Sequence, residues 1–197
     1  VVVVGAGAAG LSASIGAAAR GAKVILLEKT GDAGGNTAFA SLGLNAAATP
    51  DQAAARIMGD SATLFAADTI RYGHQFNDAA LVRAMTVTSA PALAWLETLG
   101  AKLCLRITPV GSEARPRLMA PCDGTAVGPL LIQVLKAKAL QSQVDLRTQA
   151  RATKLILADQ KVSGIERPLS DQSESRGPRD RRLCRVLGAR EPGSPVS

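Results

Sequence analysis

Near the start of the chain, Gly5-Ala6-Gly7-Ala8-Ala9-Gly10 sets glycines at the first, third and sixth positions of a six-residue run. In a strand-to-helix turn that spacing has a chemical use. Gly5 permits the tight turn, Gly7 lets the backbone approach a diphosphate with no Cβ in the way, and Gly10 lets the helix pack close on the strand. The helix then directs its unpaired N–H groups and positive dipole end at the phosphates. Eighteen residues past Gly10 stands Glu28, a carboxylate able to accept hydrogen bonds from a ribose. These residues describe a dinucleotide site, and a glycine turn of purely structural use is the competing reading.

No other residue offers comparable chemistry. His74, the one histidine, lies between Gly73 and Gln75 with no partner in sight and reads as a surface or turn residue. Glu97 and Asp123 lack a second carboxylate at a spacing useful for acid–base work. Trp95 reads as core, and Asp78 as the cap of a helix. Three cysteines, Cys104, Cys122 and Cys184, are few, widely spaced and odd in number, so they read as reduced, incidental thiols with no disulfide scaffold or metal site.

The elements that must position the turn are legible around it. Val1 to Val4 is a β-branched run without a polar face, fitting a strand of a parallel sheet buried on both sides. Leu11 to Arg20 is helical, stopped by Gly21, and Lys23 to Leu27 is a second buried strand. Strand, turn, helix and strand within about 30 residues make a βαβ unit. Residues 31 to 49, rich in Gly, Ala, Ser, Thr and Asn, read as a long functional loop. Helices are expected over 61–70, 78–89 and, separately after Pro91, to Leu99; a short strand over 103–107; a loop over 109–128; a helix over 129–141; and strands over 144–147 and 152–157.

Composition sets the limits. A chain of 197 residues holds one ordinary domain with a sizeable core. Apolar residues make up 47% but aromatics only 3%, so the core must be built from Ala, Val, Leu and Ile. The net charge of +7 suggests nucleic acid only if the cations form a stripe interleaved with aromatics, and they do not: seven arginines fall between Arg167 and Arg190 and the rest are scattered. Nucleic acid is therefore not an expected partner. No uninterrupted apolar run approaches the about 20 residues that span a bilayer, so no membrane span is expected. The chain opens inside a strand with no Met or charged leader, which predicts further sequence ahead of it and leaves cytoplasm and periplasm equally open. Past Glu166, Arg, Ser, Pro and Gly dominate and Lys vanishes, predicting an irregular or disordered tail over 166–197.

The segment after Glu28 makes the reading specific. Lys29 leads to Gly34-Gly35-Asn36-Thr37, then Ala40-Ser41-Leu42-Gly43-Leu44-Asn45; Asn77-Asp78-Ala79-Ala80-Leu81-Val82 and Trp95-Leu96-Glu97-Thr98-Leu99-Gly100-Ala101 follow, then Asp123-Gly124 with Val127-Gly128. Over about residues 1–166 this resembles the flavoprotein subunit family of fumarate reductase and succinate dehydrogenase, soluble flavocytochrome c type, N-terminal FAD-binding part only. The resemblance implies an α/β fold: a Rossmann-like FAD-binding domain with a parallel sheet over 1–165, a helical insertion over about 50–101, and no complete C-terminal end. It places FAD contacts on Gly5, Gly7, Ala9, Gly10, Glu28, Lys29, Asn36, Thr37, Ser41 and Gly43, with the Ala152 backbone on the adenine side. In the membrane-bound relatives a His that links covalently to the flavin aligns with Asn36; an amide cannot form that bond, so FAD is expected to be non-covalent.

The sequence also departs from the family. Leu42 stands where the first Gly of a Gly-Gly pair is usual, Met119-Ala120 replace the usual His-Arg, and the Ala-Thr-Gly-Gly strand end after Ile165 is missing. The last departure reads as a frameshifted or spliced ending, which the other frames of the coding DNA past codon 166 test. In the complete enzyme the resemblance implies hydride transfer from flavin to an unsaturated dicarboxylate, with the carboxylate clamps and proton donor in parts this chain does not reach. No catalytic or metal-binding residue is assigned, the electron donor is unreadable, and the chain alone is expected to be inactive. The alternative is a truncated, non-catalytic nucleotide-binding remnant; a NAD-dependent dehydrogenase ranks third, since it predicts a shorter loop after Glu28.

Overall fold

The computed structural model describes residues 1–107 and 115–167 and the backbone of 184–185, and the chain divides into two compact units. The first comprises residues 1–33 and 139–197, the second 34–138.

In the first unit, β1 (Val2–Val4) pairs in parallel with β2 (Ile25–Leu27), which pairs in parallel with β6 (Asp145–Arg147). Helix α1 (Ala8–Ala18) joins β1 to β2 and packs on both, burying Leu11 and Ile15. β2 is the central strand, with Leu26 and Leu27 out of solvent; β1 is the edge of the described sheet, so Val1 and Val4 are exposed and not buried on both sides as their run suggests. β7 (Lys154–Ala158) and β8 (Lys161–Glu166) form a hairpin with a bulge between Ile156 and Leu157, turning at Asp159 and Gln160, both at positive φ. Cys184–Arg185, here β9, pair antiparallel with Gly164–Ile165; the rest of the tail expected past Arg167 lies outside the described residues.

The second unit starts with a 3-10 turn (Gly35–Phe39), then β3 (Leu44–Asn45), α2 (Pro50–Ala54), α3 (Ala62–Tyr72), α4 (Ala79–Thr98), β4 (Leu103–Leu105) and β5 (Leu118–Pro121). α5 (Val127–Gln141) begins here and ends in the first unit. β5 is the middle strand of an antiparallel sheet, between β3 and β4. The loop expected over 109–128 thus contains a strand, because short Leu118-Met119-Ala120-Pro121 gains its order from neighbours on both sides. The helix expected to break at Pro91 runs through it as one 20-residue helix. Burial of Val82, Thr86, Leu93 and Leu96 along one stripe, with α3 packed on α4, offsets the roughly 3 kcal/mol an internal proline costs. As one helix α4, with mean hydropathy 1.3, is long and apolar enough to cross a membrane by length and composition.

Cys104 and Cys122 are joined by a disulfide, so they are not the separate thiols their number suggested. Pairing of β4 with β5 brings residues 18 apart in sequence to a Cα separation of 5.0 Å. Trp95 is half-buried, with Leu93 and Leu96 supplying the core of its helix, while His74 is exposed in the turn after α3.

Candidate nucleotide-binding site

The turn after β1 is built as its glycines require. The Gly5 N–H donates to the Leu27 carbonyl at 2.7 Å, carrying the β1–β2 pairing one residue past the strand, and the chain then reverses with Gly5 at φ +94°. A side chain is disfavoured in that backbone region. Gly7 is the N-cap of α1, in extended conformation, and no side chain caps it. The Leu11 N–H closes the first helical turn on the Gly7 carbonyl at 3.0 Å, so the opening turn with Ala9 and Gly10 carries the helix's positive dipole end. A Cβ built at Gly10 would run into the Gly5 carbonyl group, with Val3 Cγ1 beyond it at 3.6 Å. Close packing of the helix on the turn therefore excludes any larger residue.

Glu28 directly follows β2, with its N–H bonded to Arg147 O at 2.8 Å and its carbonyl accepting from Ala150 N at 2.8 Å. Its side chain, 5% exposed, turns back to the glycine loop. Oε2 accepts from Ala6 N at 2.8 Å, and Oε1 accepts from Thr30 N and Thr30 Oγ1, both at 2.9 Å. Burial acts to raise the carboxyl pKa, but the hydrogen bonds from Ala6 and Thr30, aided by the nearby Lys29 backbone, outweigh it and hold the group below the usual glutamate range. The ionised carboxylate has about four lone-pair sites, and the three side-chain bonds leave acceptor capacity for a hydroxyl. Glu28 thus both fixes the loop and remains a hydrogen-bond acceptor. Thr30, which anchors it, was not singled out by the spacing argument, though a hydroxyl two residues past a carboxylate is a legible local signal.

A cavity of about 170 Å³ lies against these residues, lined by Val4, Gly5, Leu27, Glu28, Lys29, Ala150, Arg151 and Ala152. It is smaller than the roughly 300 Å³ at which ligand pockets begin, so it suits one end of an extended ligand. Gly5, Glu28, Lys29 and Ala152 are thereby brought together, and Arg151 joins them unforeseen.

The remaining expected residues belong to the second unit. Asn36 and Thr37 lie on the 3-10 turn, Asn36 exposed and Thr37 half-buried. Gly34 enters this turn at φ +145° and Gly35 at +51°. Ser41 is exposed, as is Leu42, and Gly43 precedes β3. A Cβ at Gly43 would strike the Met119 carbonyl oxygen, giving that glycine a structural reason in the close approach of β3 to β5.

A second charged centre in this unit escaped the sequence reading. Arg117, 1% exposed, forks onto Asp60 through Nε–Oδ2 at 2.8 Å and Nη2–Oδ1 at 2.7 Å, and reaches Asp68 Oδ2 through Nη1 at 2.7 Å. Its guanidinium lies 4.9 Å from the Phe65 ring centroid. Gln52 Nε2 donates to Asp60 Oδ2 and Pro116 O, both at 2.8 Å, while Gln52 and Thr49 form the capping box of α2. Burial disfavours the Asp60 anion, yet Arg117 and Gln52 outweigh it and hold the carboxyl below the usual aspartate range; the same ion pairs overcome burial to raise the Arg117 pKa. The Ala46 N–H donates to Arg117 O at 3.0 Å, so this centre fastens the strand that follows Gly43. Among the described residues no cluster of His, Cys, Asp and Glu could hold a metal ion.

A glycine turn on a parallel βαβ unit with a buried carboxylate at its mouth is the geometry of a family matched across the chain, the FAD binding domain, over residues 1–188. The chain belongs to the FAD-binding domain family. Within it, the chain is 40% identical over 166 residues to the fumarate reductase (cytochrome) of Shewanella frigidimarina, covering 84% of this chain and 29% of that protein. It is 38% identical over 176 residues to the NADH:fumarate oxidoreductase of Klebsiella pneumoniae, covering 88% of this chain and 18% of that protein. A flavocytochrome c3 fumarate reductase in its open conformation superposes with a TM-score of 0.79 and 36% identity over 84% of this chain and 29% of its own. A 3-ketosteroid-Δ4-(5α)-dehydrogenase from Rhodococcus jostii RHA1 follows at 0.70 and 25%, over 86% and 41%. This FAD-binding domain has the Rossmann-like α/β fold expected from its sequence and is the N-terminal FAD-binding part of the flavoprotein. It spans under a third of the length of the fumarate reductases it matches.

Proposed function

We propose that this chain is the FAD-binding portion of a FAD-dependent oxidoreductase of the fumarate reductase class. The observation that carries the reading is the turn itself: a positive-φ Gly5, an uncapped helix start at Gly7, a Gly10 with no room for a Cβ, and an ionised Glu28 with acceptor capacity left over. A diphosphate fits the Ala9 and Gly10 N–H groups in the opening turn of α1, and a ribose fits Glu28 beside the cavity walled by Lys29 and Ala152. Asn36, Thr37, Ser41 and Gly43 are the flavin-side candidates, on the resemblance alone. Bound FAD supplies a two-electron hydride carrier, which the complete enzyme would use to reduce an unsaturated dicarboxylate. The chain's own residues hold and orient the cofactor. Since Asn36 cannot make the covalent link, the hold is non-covalent.

In the same reading residues 1–165 form one FAD-binding domain with a helical insertion over about 50–101. α4 serves that insertion as a globular helix and does not span a membrane, because its apolar stripe packs with α3. The chain alone is expected to turn over no substrate, since none of the described residues is assigned a catalytic role.

Purified chain tests both halves. Flavin absorbance with a dissociable FAD is expected, and no fumarate reduction with a reduced viologen dye. A colourless sample with no heat of mixing with FAD would sink the binding reading, and one that binds only NAD would replace it with the dehydrogenase. Measurable fumarate turnover would show catalytic residues among these 197.

A further inference from the structure

β5 is fastened at both ends. Arg117 precedes it, forked onto Asp60 and tied to Asp68, and Cys122 follows it, joined to Cys104 of β4. Unlike the arginine, both cysteines are exposed. One guanidinium reaches the Cys122 end, and a lysine lines the cavity beside it. The Cys122 N–H donates to the Lys102 carbonyl at 3.2 Å, Lys102 shares a cavity of about 200 Å³ with Cys122, and Arg106 Nη2 donates to the adjoining Pro121 carbonyl at 3.0 Å. The neighbouring anion, Asp123, accepts from Thr125 N at 3.0 Å and Thr125 Oγ1 at 2.7 Å. Exposed cysteines beside cations form thiolate readily, and thiolate is the species that exchanges with disulfides. A second cysteine within bonding distance makes such an exchange run to an internal bond.

We propose that Cys104 and Cys122 are a thiol–disulfide exchange site, closed by a low-molecular-weight disulfide and reopened by a low-molecular-weight dithiol, whose state sets how firmly β5 holds β3. In closure, the Cys122 thiolate attacks the small disulfide, breaking its S–S bond, releasing one small thiolate and leaving a mixed disulfide. The Cys104 thiolate then attacks the Cys122 sulfur and expels the second small thiolate. The protein loses two protons and two electrons, and the small disulfide gains them. β3 has two residues paired with β5, so a cross-link that pins β5 to β4 also limits the opening of β3.

The full chain, reduced and then treated with oxidised glutathione at neutral pH without denaturant, should lose about 2 Da. It should then titrate one thiol of its three and yield a tryptic Cys104–Cys122 cross-link. Dithiothreitol under the same native conditions should restore all three. Cys184→Ser should still close, and Cys104→Ser should stop with glutathione on Cys122. Amide exchange at Ala46, whose N–H is bonded to Arg117 O, should be about threefold or more slower in the closed form. A bond that opens only in denaturant, a cross-link to Cys184, or no glutathione on Cys122 in the Cys104→Ser chain would overturn the exchange site. Equal Ala46 exchange in both forms would overturn its coupling to β3.

Discussion

Glu28 and Arg117 are both charged, both nearly removed from water and both held by several hydrogen bonds, yet opposite means hold them. The carboxylate is held by N–H and hydroxyl groups of Ala6 and Thr30, the turn and strand end it serves. The guanidinium is held by two aspartates 57 and 49 residues away. Amide dipoles leave an anion its net charge and its spare lone pairs, so Glu28 is stable and still open to a ligand. A guanidinium forked onto one carboxylate and tied to another has its donors committed to the protein. The first arrangement suits binding and the second suits fastening, which a difference in mutational cost can check.

The largest effect should come from Arg117→Leu, which leaves Asp60 buried without its cation and is expected to destabilise the chain by about 3–5 kcal/mol in urea unfolding. Arg117→Lys should fall between, because an ammonium cannot reproduce the fork. Glu28→Gln, which keeps one acceptor for backbone N–H groups, should cost only about 1 kcal/mol while weakening FAD at least about tenfold. Similar stability losses for Arg117→Leu and Glu28→Gln would erase the distinction between the two centres.

Gly10→Ala should cost about 1–3 kcal/mol, since its Cβ would meet backbone and not a yielding side chain. Its loss of FAD should exceed what that destabilisation explains, because moving α1 off the turn moves the N–H groups proposed to hold the diphosphate. Isothermal titration of variant and parent at a temperature where both stay folded makes the comparison.

The contrast also explains what the sequence shows and hides. Gly5, Gly7, Gly10 and Glu28 are legible because a βαβ unit closes on itself within about 30 residues, so spacing along the chain is spacing in space. The Arg117 ion pairs are not legible: nothing near Arg117 marks Asp60 or Asp68, 57 and 49 residues away, and only the folded chain brings them together. β5 itself is hidden for the same reason, its four residues being ordered by β3 and β4 and not by an alternating pattern of their own. Cysteine parity misled because an odd count says nothing of which two residues a hairpin sets side by side.

Acid should act on both centres with one sign. Glu28 and Asp60 have folded pKa values below their unfolded values of about 4. Each therefore contributes stability that is fully present above that pH and is lost as pH falls through the folded value. Denaturation midpoints should be flat above about pH 5 and fall below about pH 4. Glu28→Gln should make the fall shallower by about one proton's share of the slope, and an unchanged slope would show that the Ala6 and Thr30 bonds do not favour the anion.

The smallest effect belongs to a residue as local as Glu28 but with no ligand to serve. Asp78 caps α4 as expected, Oδ1 accepting from Ala80 N at 2.8 Å and Leu81 N at 3.0 Å, and it is exposed. Asp78→Ala should lower stability by about 1 kcal/mol, measured by the urea midpoint. FAD affinity should stay within about twofold of the parent, since a loss of about 1 kcal/mol in a folded chain leaves the bound geometry unchanged. Weaker binding in this variant would mean that α4, and not only the glycine turn and its carboxylate, helps to hold the cofactor.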